Sequence, residues 1–155
     1  MGEILNNTLM MKKKPTLREE VSLNLAVASS ILRDRFEKIS VPFGITASQY
    51  NVLRILKGIH PEGHPRCEVI KRMVDRAPDI TRLIDRLEKQ GLVKRDRISE
   101  DRRKSITVIT EKGLKLVSDI QPLIDKEHRE LTKGLNDTEC TELSKLIEKL
   151  YEKLR

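Results

Sequence analysis

The chain has 155 residues, with 31 Lys and Arg against 24 Asp and Glu, a formal charge of +7. Hydrophobic residues make up 37% and charged residues 35%, and with two Phe, two Tyr and no Trp the core must be built from Leu, Ile and Val. This excludes wholesale disorder and favours long amphipathic helices in one domain of ordinary size. No run approaches the roughly 18 apolar residues of a membrane span. In Met1 to Lys14 the lysines follow the apolar residues, which is not the order of a signal peptide, so a soluble, cytoplasmic chain is expected.

Residues 1–15 read as a flexible tail. From Thr16 to Ile39, Leu17, Val21, Leu25, Ala28, Leu32, Phe36 and Ile39 recur at three- and four-residue steps, the stripe of a long helix. Thr16 with Glu19 forms a capping box at its start, and Pro42 and Gly44 end it. A second box, Thr46 with Gln49, opens a helix that places Tyr50, Leu53 and Leu56 on one face. Gly58 to Pro65 holds two Gly and two Pro in eight residues and reads as a loop. Val69, Ile70, Met73 and Val74 mark a short helix that stops before Pro78.

Proline suits a first helical position, because its missing N–H would be unbonded there anyway, so the next helix is expected from Pro78 to Gln90, about 20 Å long. Ile80, Leu83, Ile84 and Leu87 form its buried stripe and Gly91 its C-terminal cap. Asp79, Thr81, Arg82, Asp85, Arg86 and Lys89 are left outside. Two helices joined by a short turn, with Thr and Arg on the outer face of the second, fit a helix-turn-helix.

Leu92 to Ile98 and Ser105 to Thr110 are short and β-capable, and the polar run Ser99 to Lys104 between them makes a projecting hairpin. Thr110 caps a helix that should bend or break at Pro122. A last helix from Asn136 or Asp137 to Leu154 carries Cys140, Leu143, Leu146, Ile147, Leu150 and Leu154 on a stripe that nothing nearby covers. With the first long helix it has the look of a dimerisation surface.

Charge is concentrated in the middle: residues 66–104 carry 13 basic and 8 acidic side chains, whereas residues 105–155 carry 9 and 10. That suggests a polyanion-binding module carried on a scaffold. A planar guanidinium can donate two hydrogen bonds to guanine or place its charge in the negative minor groove, so arginine is the expected side chain in either role.

His60, His64 and Cys67 have a His-x3-His-x2-Cys spacing, but two of them lie in a Pro/Gly loop without an assured fourth ligand, so no metal or cofactor is expected. Cys67 and Cys140 lack the dense spacing of a disulfide framework and read as reduced thiols, Cys140 as a packed core residue. No Ser-His-Asp order, phosphate loop or carboxylate pair argues for an enzyme.

The run Ala77-Pro78-Asp79-Ile80-Thr81-Arg82-Leu83-Ile84-Asp85-Arg86-Leu87-Glu88-Lys89-Gln90-Gly91-Leu92-Val93-Lys94-Arg95, followed by Asp101-Arg102-Arg103 and Thr110-Glu111-Lys112-Gly113, resembles the multiple-antibiotic-resistance regulator (MarR) family of transcription factors. The resemblance extends upstream through Ile45 to Leu56. It implies a mainly α fold with a small β-hairpin wing: a winged helix-turn-helix over residues 45–113, with helical dimerisation regions at 16–44 and 114–155.

It further implies a homodimer on a pseudo-palindromic double-stranded DNA operator, in most cases a repressor released by a small aromatic or anionic effector. Carried onto this sequence, Pro78, Asp79, Thr81, Arg82 and Arg86 fall on or near the DNA-facing part of the recognition helix. Arg102 or Arg103 would enter the minor groove from the wing tip, held by Asp101. Lys94 and Arg95 would touch phosphate or pair with Asp101. The contrasting reading is a helical interaction module whose basic surface binds an acidic protein partner.

Overall fold

The computed structural model describes residues 3–10, 14–74, 79–97 and 105–153. In chain order the elements are helices α1 (Glu3–Leu9), α2 (Leu17–Ser40), α3 (Ala47–Lys57), strand β1 (His64–Pro65), α4 (Arg66–Arg72), α5 (Ile80–Lys89), strands β2 (Val93–Arg97) and β3 (Ser105–Ile109), α6 (Glu111–Thr132) and α7 (Asp137–Glu152). The mainly α fold with a small antiparallel wing is the one expected. Helix α1 is not: within the residues read as a tail, Glu3–Leu9 are helical, and Leu5 is buried where α1 meets α2.

Side-chain caps set the helix starts. Thr16 Oγ1 accepts from the Glu19 N–H while Glu19 Oε2 accepts from the Thr16 N–H at 2.7 Å. Thr46 and Gln49 repeat the box on α3, and the Ala47 N–H donates to Glu37 Oε2 of α2 at 2.8 Å, so two elements cap one helix start. Asn136 and Glu139 do the same for α7. Each box satisfies backbone N–H groups that a helix start leaves without partners.

The core surrounds α3. Val52, Leu53 and Leu56 are fully buried against Ile84 and Leu87 of α5, Leu92, Val93, Ile109, and Val117, Ile120 and Ile124 of α6. The Tyr50 hydroxyl donates to Gln121 Oε1 at 3.0 Å, and burial pushes its pKa up, which keeps it a donor. Helix α2 contributes only its C-terminal end, Phe36 and Ile39, whereas Leu17, Val21, Ile31 and Leu32 stay exposed. Helix α7 buries none of its residues, so Cys140, expected as a packed core thiol, is only half-buried in the single chain.

The sheet has the order β1-β3-β2, with β2 and β3 antiparallel from Val93 opposite Ile109 to Arg97 opposite Ser105. Strand β1 corrects the expected loop over Gly58 to Pro65: its last two residues pair with β3, His64 opposite Thr107 and Pro65 opposite Ile106. Helix α6 runs unbroken through Pro122, so of the bend or break expected there the break does not occur. Proline deletes one N–H bond of the ladder. Burial of Ile120 and Ile124 on either side, and the bond from Tyr50 to Gln121, hold the helix across the gap.

Candidate nucleic-acid interface

Helix α5 begins at Ile80, two residues later than expected, because Asp79 is its N-cap: the carboxylate accepts from the Arg82 N–H at 3.3 Å and meets Arg82 Nε at 3.1 Å. Pro78 lies outside the described residues. The helix ends in a Schellman motif, with Leu92 N–H donating to Leu87 O and Gly91 N–H to Glu88 O, both at 2.9 Å. Gly91 has φ +70°, a conformation that costs glycine nothing.

With Ile80, Ile84 and Leu87 buried, the opposite face presents Arg82, Arg86 and Lys89 exposed, with Thr81 and Asp85 half-buried beside them. The acidic groups here are occupied. Asp79 holds Arg82, Asp85 accepts from the Arg95 guanidinium, Glu88 lies 3.4 Å from Arg95 Nη1, and Asp96 pairs with Lys94 at 3.0 Å. Arg86 and Lys89 have no carboxylate partner among the described residues, so the outer face of α5 stays positive. Such a face can place guanidinium and ammonium groups against phosphates or base edges.

Among the described residues Arg95 meets two carboxylates of α5. It projects from β2 onto α5 and bridges Asp85 and Glu88, one helical turn apart, so its fork ties the wing to the helix. Lys94 faces Asp96 on its own strand. Asp101, Arg102 and Arg103, expected at the wing tip, lie outside the described residues, as does any pairing of Asp101.

Two contacts have no counterpart in the sequence reading. Arg66, the first residue of α4, donates from Nη1 to Thr81 Oγ1 at 3.0 Å. Glu68 of α4 binds Lys71 at 2.7 Å and Arg72 at 2.5 Å, and hydrogen bonds from Lys71 and then Arg72 hold its carboxyl well below the usual range, at about 2. The sequence signal for the second was the i, i+3 and i, i+4 spacing of Glu68, Lys71 and Arg72. Of the residues weighed as metal ligands, His64 is buried in β1 while Cys67 is exposed on α4. Among the described residues no three His, Cys, Asp or Glu side chains are grouped to hold a metal ion.

The MarR family model matches residues 45–105, the segment from just before α3 to the first residue of β3. A MarR transcription factor from Planctomyces limnophilus is 38% identical, with 88% of this chain and 98% of that one aligned and a TM-score of 0.68. The protein in the S. aureus MepR-DNA complex shares the fold at 20% identity, covering 86% and 96% of the two chains with a TM-score of 0.75. CouR from Rhodococcus jostii RHA1, solved bound to p-coumaroyl-CoA, is 25% identical over 88% of this chain and 95% of that one, with a TM-score of 0.73.

Proposed function

The chain belongs to the MarR family of transcription regulators, and on that premise we propose that it is a homodimeric repressor, released from a pseudo-palindromic DNA operator by a small aromatic or anionic effector. The observation that carries this reading is α5: capped, buried along one side, and along the other exposing Arg82, paired with Asp79, and the charges of Arg86 and Lys89, uncompensated among the described residues. Two such helices on a twofold axis would enter successive major grooves. Arg82 and Arg86 are the candidate base or phosphate contacts, Thr81 a second polar contact, and Arg102 or Arg103 the minor-groove residue. The DNA-bound state of the MepR relative supports the partner class.

The effector arm rests on the ligand-bound CouR relative and on a cleft of about 1110 Å³ here, where Arg54, Lys71 and Arg72 meet apolar Ile55, Ile59 and Met73. That lining suits a compound with an anionic head and an apolar body. Among the described residues no helix is long and apolar enough to cross a membrane, and the proposed site of action is the cytoplasm.

The test is a fluorescence-anisotropy titration against DNA from upstream of the chain's own gene and against scrambled duplex, over a salt series. Wild type binds the native duplex more tightly, with affinity falling steeply as salt rises. Arg86→Ala costs about 1–3 kcal/mol of that affinity. Equal weak binding to both duplexes, unchanged in Arg86→Ala, would instead favour an acidic protein partner for the basic surface.

A further inference from the structure

We infer that Arg66 is a DNA-backbone contact shared between the recognition helix and the wing, holding a phosphate of the operator and fixing Thr81 beside it; this rests on the DNA-binding reading above. Three elements converge on Arg66. It directly follows Pro65, which β1 pairs with Ile106 of wing strand β3. It opens α4, and its Nη1 donates to Thr81 Oγ1 on the half-buried shoulder of α5 at 3.0 Å.

The chain just upstream of Arg66 lies so close to β3 that it requires glycine: Gly63 has φ +79°, and a Cβ there would lie 2.5 Å from the Thr107 carbonyl oxygen. Arg66 is exposed, and among the described residues it has no carboxylate partner. Arg72 and Arg82 each have one and Arg95 has two. The single bond to Thr81 engages one of five guanidinium N–H donors and neutralises no charge.

In a helix-turn-helix docked by its second helix, the first crosses the sugar-phosphate backbone. Arg66 therefore faces phosphate, and its fork suits two phosphate oxygens. The Thr81 hydroxyl, with one lone pair taken by Arg66, is left to act as a donor.

The experiment measures duplex affinity by anisotropy from 50 to 200 mM salt for wild type, Arg66→Gln, Arg66→Lys and Thr81→Val, with circular dichroism melts to establish that each is folded. Arg66→Gln weakens native and scrambled duplex alike and makes the salt slope shallower by about one, so the wild-type advantage shrinks about 3.5-fold between 50 and 200 mM. Arg66→Lys keeps the wild-type slope, and Thr81→Val keeps it too while losing affinity for the native duplex alone. A wild-type slope in Arg66→Gln, with Arg86→Ala still losing native-duplex affinity, overturns the role of Arg66 and leaves the DNA-binding reading standing. Wild-type protein without salt-dependent duplex binding overturns both.

Discussion

Gly113, in the first turn of α6, lies so close to the end of α5 that a Cβ there would meet the Leu92 carbonyl oxygen at 2.2 Å and Ile109 Cγ1 at 2.7 Å. Helix propensity favours alanine over glycine by roughly 1 kcal/mol. Here the sign reverses, because neither the backbone oxygen nor the buried Ile109 can give way: Gly113→Ala is expected to lower the unfolding free energy by about 1–3 kcal/mol in urea denaturation. A stabilised variant would contradict the packing of α6 on Leu92.

At the surface of α4, Glu68 gives a pH signature. Its folded-state pKa, about 2, lies below the ordinary 4.5 because Lys71 and Arg72 both donate to it. A depressed carboxyl contributes stability fully above the unfolded value and loses it as pH falls from about 4.5 towards 2. Carboxyl NMR should place the Glu68 midpoint near 2 in the wild type and move it up towards 4.5 in Lys71→Ala/Arg72→Ala. A wild-type midpoint already at the ordinary value would remove the double pairing.

Among elements, the Arg95 bridge from β2 to Asp85 and Glu88 is one of the links between the wing and α5. The Arg95 guanidinium that makes it is part-exposed, so its loss should cost no more than about 1 kcal/mol of stability. Arg95→Ala nevertheless frees Asp85 and Glu88, two carboxylates on the helix proposed to meet DNA. Operator affinity in anisotropy should fall well beyond the change in stability, and Asp85→Asn/Arg95→Ala should recover part of it. Unchanged binding in Arg95→Ala would make the bridge a purely local contact.

The element scale also separates what was legible in the sequence from what was not. Capping boxes at Thr16 and Thr46 and the glycine cap at Gly91 were legible because each is a local exchange of hydrogen bonds within a few residues. The buried stripe of α5 was legible through its helical period. Strand β1 was not, since two residues next to Gly63 become a strand only when β3, some forty residues on, lies alongside. The partners of Arg95 and Arg66 depend on elements brought together by the core, and Pro122 is carried by tertiary packing that overrides the local break. On α5 the period marked Asp79, Thr81, Arg82, Asp85, Arg86 and Lys89 as the outer positions, whereas the cap made by Asp79 and the brace made by Arg95 could be seen only in the fold.

At the scale of the whole molecule, α7 has no buried residue and several apolar side chains of α2 stay exposed in the single chain. Leu143, Leu146 and Leu150 on α7, with Leu17, Val21 and Ile31 on α2, are exposed, though they follow helical spacing and the helices are well capped. An apolar stripe of that length is what a twofold interface would cover. The same twofold would set two copies of α5 about one turn of DNA apart. The dimer and the recognition helix are thus one geometric claim. A hydroxyl-radical footprint on the native upstream duplex tests it most directly. Two protected windows related by a twofold, their centres about 10 bp apart or a multiple of it, are the expected result. A single protected half-site, or uniform protection without position, would contradict it.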